Sequence, residues 1–214
     1  MAATGNSKAP FDRFPDGRGA RHDPTDGIAK VPDGSRVVFA TAALHRALHT
    51  VLRAETPAAW TADLLACGVA VGRGFGVAVD RELAQRGQPA LADQPLEICL
   101  ALAERHFAAQ GWGVLASDVS LAPEHGLVLA RLQLSCVVAA LGPGPDFADA
   151  MPAGFLQGFL EHVSGQPLGC LEIGCARVGA PHCTFVITSA ERLEFAAGLI
   201  GKVSPDEIIQ RLTA

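Results

Sequence analysis

The chain has 214 residues, 49% of them apolar and 18% charged, with 17 basic against 22 acidic side chains for a net charge of -5. That length suits one domain with an attached segment, and the apolar share supplies ample core. No Lys/Arg block or aromatic-interleaved basic stripe occurs, which argues against nucleic acid and against an electrostatic membrane anchor.

Residues 1–30, "MAATGNSKAPFDRFPDGRGARHDPTDGIAK", are rich in Gly, Pro and Asp and show no apolar period. They are expected to form a disordered or loosely attached tail, leaving 31–214 as a single domain. The N-terminus lacks the apolar core of a signal peptide, and no uncharged apolar run reaches the length of a membrane span. The expectation is a cytoplasmic protein without a membrane partner. Its six cysteines should then be reduced.

In chain order, a first helix begins near Thr41 as N-cap, with Leu44, Leu48, Val51 and Leu52 on one face. A second is expected from Thr56-Pro57, an N-cap followed by proline. It carries Trp60, Leu64, Cys67, Val71 and Phe75, and a separate stripe of Gly68, Gly72 and Gly76. Three glycines in register, each weakening a helix by ~1 kcal/mol, mean close approach by another backbone or by a ligand. A third helix is expected over Asp93–Gln110. The period then changes to two: "GWGVLASDVSL" and "GLVLARLQL", joined by "APEHG", predict a β-hairpin.

After "SCVVAALGPGPD", Asp149 is placed to cap a further helix with Met151, Phe155, Phe159 and Val163 on one face and Gly154 and Gly158 on another. Two short strands come next, about 168–174 and 182–188. Thr188 and Glu191 then read as a capping box, as do Ser204 and Glu207 for the last helix. Antiparallel strand pairs without βαβ alternation predict an α+β fold, two hairpins forming one antiparallel sheet packed with helices.

"CLEIGCARVGAPHCTF", residues 170–185, holds three cysteines, a glutamate and a histidine. Glu172, Cys175 and Cys183 offer carboxylate and thiolate ligands of the kind zinc takes. In a regular strand residues 172 and 175 face opposite ways, so a bend at Gly174 is needed to bring them together. Three readings stay open from spacing alone: a metal site, a redox pair, and small buried cysteines.

The stretch "AGFLQGFLEHVSGQPLGCLEIGCARVGAPHCTFVI", Ala153–Ile187, resembles the C-terminal half of the 4-vinyl reductase domain. The elements that carry the resemblance are Gly154-Phe155, Gly158, Glu172, Cys175, Cys183 and Phe185. It implies an α+β fold similar to ligand-binding subunits of the TRAPP transport complex. It further implies a bacterial protein related either to the effector domains of aromatic-sensing regulators or to small proteins of bacteriochlorophyll synthesis.

In the phenol sensors of this family a zinc ion is held by a cysteine, the Glu and Cys of E-x-x-C, and a final Cys. Three of these correspond to Glu172, Cys175 and Cys183. Where the family has its first cysteine, this sequence has Asp149. Aspartate can bind zinc through oxygen, which gives a candidate structural zinc site of Asp149, Glu172, Cys175 and Cys183. Asp149 as an ordinary helix cap is the competing role, and Cys170 and His182 are nearby substitutes.

The resemblance also implies a buried, mainly apolar pocket for a small apolar or aromatic ligand. Its candidate lining is Trp60, Phe75, His106, Phe107, Trp112, Phe155 and Phe159. The chain has no tyrosine, so His106 is the candidate polar partner for a phenol-type ligand. His45 and His49 form an HxxxH pair without a neighbouring carboxylate or thiol, and are read as solvent-flanking. "GRGFG", residues 72–76, does not join a strand to a helix and is not read as a nucleotide loop. No GxSxG, P-loop, HExxH or Rossmann fingerprint occurs, so no catalytic residue is assigned and enzymatic activity stays open. Three functions remain: a stand-alone sensor or carrier acting through a homodimer or a regulatory protein partner, a tetrapyrrole-pathway protein, and an adaptor with a vestigial pocket.

Overall fold

A computed structural model of the chain describes residues 21–23, 28–30, 36–37 and 40–214. Most of the expected tail therefore lies outside the described residues. Its described parts are β1 (Arg21–Asp23) and β2 (Ile28–Lys30), which join β3 (Arg36–Val37) in a small antiparallel sheet.

The main sheet has four antiparallel strands, β4 (Val114–Asp118), β5 (Val128–Gln133), β6 (Gly169–Gly174) and β7 (Cys183–Thr188), in the order β4-β5-β7-β6. Both predicted hairpins are present, and β5 pairs with β7 to join them, Ala130 opposite Phe185 and Leu132 opposite Cys183. The helices are α1 (Ala42–Glu55), α2 (Trp60–Gln85), α3 (Leu96–Gln110), the short α4 (Ala122–His125) and α5 (Cys136–Leu141), then α6 (Ala150–Ser164), α7 (Ala190–Ala197) and α8 (Pro205–Thr213).

Strand alternation sorts side chains to two cores. Val128, Ala130, Leu132, Cys183, Phe185 and Ile187 face the larger one, with Leu83, Cys99, Phe107, Phe155 and Phe159 from α2, α3 and α6. Leu127, Leu129, Ile173 and Val186 face the smaller one, closed by Ala196, Ile208 and Leu212 of α7 and α8. The sheet is thus a middle layer between two helical layers.

Helices α2 and α6 lie backbone to backbone. A Cβ on Gly68 or Gly72 would overlap the carbonyl of Met151 or Phe155, and a Cβ on Gly154 or Gly158 the carbonyl of Leu65 or Val69. The glycine stripes therefore answer to helix packing. Among the described residues α2 is long and apolar enough to cross a membrane by length and composition, a test that the core helix of a soluble protein also passes.

Several local expectations are corrected. Thr56 closes α1 instead of opening α2, its N–H donating to the Leu52 carbonyl; α2 starts at Trp60. Residues Leu91–Asp93 form a separate 3₁₀ turn, and α3 starts at Leu96, after Pro95. Thr188 ends β7 and donates to the Gly126 carbonyl at 3.0 Å, while Ser189 takes the N-cap position of α7.

The caps at Thr41 and Ser204 are present, each hydroxyl accepting an N–H of its first turn at 3.2 Å. The apolar face predicted for α1 points outward, with Leu44, Leu48 and Val51 exposed. That helix is held by polar contacts: Arg46 donates to the Ala140 carbonyl at 2.9 Å, and Arg53 pairs with Asp146 at 2.6 Å. His49, expected to flank solvent, is the buried residue of α1 and packs edge-on against Trp60 at 5.8 Å between centroids.

Candidate functional site

Four buried side chains converge where the start of α6 meets the β6–β7 hairpin. Asp149, Glu172, Cys175 and Cys183 each place one ligand-type atom so that all four lie within 4.8 Å of one another. Cys170 and His182 are not among them.

A count explains how Glu172 and Cys175 reach the same side. Glu172 pairs with Phe185 and Gly174 with Thr184, so one extra residue, Ile173, bulges out of β6. The bulge reverses the alternation for the residues after it. The bend lies one residue before the Gly174 at which it was expected. Cys175 then opens a 3₁₀ turn, Ala176–Val178, and its carbonyl accepts the N–H groups of Val178 and Ala180. Cys183 starts β7, accepts the Ala176 N–H at 3.3 Å and has its sulfur 3.9 Å from that of Cys175.

Asp149 occupies the N-cap position of α6, but its side chain makes no cap bond. Ser135 instead donates its hydroxyl to Asp149 Oδ1 at 2.7 Å. The Asp149 N–H donates to Glu172 Oε2 at 3.0 Å. The remaining oxygens, Asp149 Oδ2 and Glu172 Oε1, are buried without a hydrogen-bond partner. Two bare carboxylate oxygens beside two sulfurs are costly in a dry interior, because each charged group wants a counter-charge there.

The electrostatics carry the same strain. Burial raises the Asp149 carboxyl. Burial, joined by the Asp149 charge and Cys175, raises Glu172 well above the usual carboxylate range. The Cys175–Cys183 hydrogen bond lowers Cys175, to about 6, and raises Cys183. Two oxygens and two sulfurs in a closed set of four are a donor set that zinc accepts, so the residues present fit such an ion.

A second cluster lies further along α6. Phe75, His106, Phe107, Trp112, Phe155 and Phe159 form one web of ring contacts. The His106 ring lies 4.2 Å from that of Phe75 and stacks on Phe155 at 5.2 Å and 9°. Phe107 and Trp112 meet Phe155 edge-on at 5.2 and 5.7 Å. Phe107, Phe155 and Phe159 are fully buried. Burial holds His106 at about 4, so its imidazole is neutral near neutral pH. Trp60, the seventh candidate, stands apart beside His49, with the Arg53 guanidinium 4.6 Å over its ring.

Sequence reasoning missed Ser135, which lies fourteen positions from the carboxylate it holds and shows only a capping signal. It also missed the pair of His162 and Asp80, 2.7 Å apart, and the open groove of about 430 Å³ beside it, lined by Arg73, Val77, Glu161, His162, Gly165, Gln166 and Pro167. None of the seven aromatic candidates lines that groove.

Known proteins share this outline. No curated protein matches the chain. The phenol-responsive sensory domain of the transcription activator PoxR, solved with phenol, is similar over 92% of each chain at 16% identity with a TM-score of 0.62. Trafficking protein particle complex subunit 3 from Naegleria fowleri, solved covalently bound to palmitic acid, is similar over 69% of this chain and 91% of its own, at 14% identity with a TM-score of 0.53. At such identities the likeness establishes the fold. The family model of the 4-vinyl reductase domain matches residues 130–189, the stretch from β5 to the end of β7 that contains all four converging donors. The chain therefore carries a 4-vinyl reductase domain over residues 130–189, within an α+β fold similar to those of the PoxR sensory domain and the trafficking subunit.

Proposed function

We propose that the chain is a small-molecule-binding sensor or carrier domain whose aromatic cluster accepts a small apolar or aromatic ligand, with a structural zinc ion bracing the start of α6. The observation that carries this reading is His106: one neutral imidazole set among five aromatic rings, able to exchange a hydrogen bond with a ligand hydroxyl in otherwise apolar surroundings. Its likeness to a domain solved with phenol supports an aromatic ligand of that size.

Asp149, Glu172, Cys175 and Cys183 would hold the zinc. Bound there, the ion supplies a cross-link between α6, the turn after β6 and the start of β7. The rings fill the cluster, so a guest must displace a side chain, and Phe75, half-buried at its edge, is the natural one to move. A tetrapyrrole would need a far larger opening, which ranks that reading below a one-ring ligand.

A melting screen of the purified chain with phenols, fatty acids and porphyrins tests the proposal. Phenols should raise the Tm and change the fluorescence of Trp112 relative to a Trp60→Phe background, and His106→Leu should remove the response to phenol. An absence of any shift with all three classes would favour the adaptor reading.

A further inference from the structure

We infer that the ion site of this chain is a mixed oxygen/sulfur site for a borderline divalent ion, with Asp149 as a ligand and Ser135 as the positioning residue that aims it. The inference rests on the metal reading above and adds the choice of ion and the residue that sets it.

Ser135 is buried, and its hydroxyl is fixed from two sides. It accepts the Val138 N–H at 3.2 Å as the N-cap of α5, and it donates to Asp149 Oδ1 at 2.7 Å. The accepted bond orients the oxygen, and the proton points to the carboxylate. With Oδ1 held, Oδ2 is left buried and bare beside the sulfurs.

Glu172 is treated in the same way by a different donor, the Asp149 N–H on Oε2, which leaves Oε1 bare. Each carboxylate thus has one oxygen tied and one oxygen free, the arrangement of two ligands that each bind through a single atom. A carboxylate serving only as a helix cap would accept N–H groups from the first turn of α6, and Asp149 accepts none. Partners that orient a ligand in this way commonly contribute roughly 10–100-fold to metal affinity.

The donor set then fixes the preference. Two carboxylate oxygens and two thiolates are harder than a set richer in sulfur, which favours zinc and cobalt(II) over cadmium and copper(I).

Competition titrations against a chromophoric chelator, with zinc, cobalt(II) and cadmium on the metal-stripped full chain, test this. Ser135→Ala should bind zinc about 10–100-fold more weakly, and Ser135→Thr, which keeps the hydroxyl, should bind like the parent. Asp149→Cys should raise the cadmium-to-zinc affinity ratio by about tenfold or more. It should also strengthen the sulfur-to-cobalt charge-transfer absorption by about half, as two thiolates become three.

If the parent binds metal and Asp149→Cys changes neither the ratio nor the band, Asp149 is not a ligand and the inference falls while the metal reading stands. Equal zinc affinity in folded Ser135→Ala removes Ser135 from its role. Should loss of the α5 cap leave Ser135→Ala unfolded, affinity lost in Ser135→Thr counts against the assignment and affinity retained counts for it. A parent chain that takes up neither zinc nor cobalt overturns the metal reading itself.

Discussion

The two clusters on α6 are built from opposite materials and are finished to different degrees. At its start, Asp149 and Glu172 each keep a buried oxygen with no partner, next to two sulfurs. About 9 Å further along the helix axis, Phe155 sits among rings that satisfy one another in edge-on and stacked geometry. The first cluster calls for a cation; the second is complete as packed. A guest at the first would relieve a penalty already present, whereas a guest at the second must open something closed. Tight, permanent binding suits the former and reversible binding the latter, which is the division of labour expected of a braced sensor.

The contrast between the clusters needs α6 held as one rod, and the largest effect should come from breaking that hold. Gly72→Val puts a branched side chain into the carbonyl of Phe155. A cost above about 4–5 kcal/mol is expected, so the variant should give no cooperative unfolding transition in urea, while Gly74→Ala on the open face of α2 should unfold like the parent.

Next in size is Phe155→Ala, which empties the centre of the aromatic web. It should lower stability by about 3–5 kcal/mol and leave zinc binding intact. Equal loss at both clusters in titration and melting experiments would show that they are not separable.

The smallest effect concerns pH. Burial holds His106 at about 4 against its ordinary 6.5, so the folded chain keeps it neutral while the unfolded chain protonates first on acidification. Its contribution is complete above pH 6.5 and is lost as pH falls from 6.5 to 4, by at most about 3 kcal/mol. Urea midpoints across that window should decline less steeply for His106→Leu than for the parent. Identical slopes would place His106 outside the buried web in solution.

Much of this architecture is legible in the sequence because it is local. Strand periods, the glycine spacing of α2 and α6, and the caps at Thr41 and Ser204 all depend on residues a few positions apart. The site is legible for a related reason: a hairpin brings Cys175 and Cys183 together whatever lies between them, and Glu172 precedes them on the same strand.

The features that escaped depend on distant partners. Asp149 looks like a helix cap, and only Ser135, placed by β5 and α5, shows its carboxylate turned elsewhere. The apolar positions of α1 read as a buried face, yet Arg46 and Arg53 dock that helix by its polar side. Thr188 and Glu191 have the spacing of a capping box, but the Gly126 carbonyl claims the threonine hydroxyl. Trp60 has the right residue type for the aromatic web and the wrong place along α2, where Arg53 and His49 hold it.

The bulge at Ile173 has an arithmetic consequence. In a pleated strand, side chains an odd number of steps apart face opposite ways. Glu172 and Cys175 are separated by an odd step and nonetheless share a side, because the unpaired residue between them restores even parity. The E-x-x-C spacing therefore encodes a count as much as a set of ligands. Ile173 itself is free to be any side chain that suits the smaller core, so long as a residue stands there to be counted.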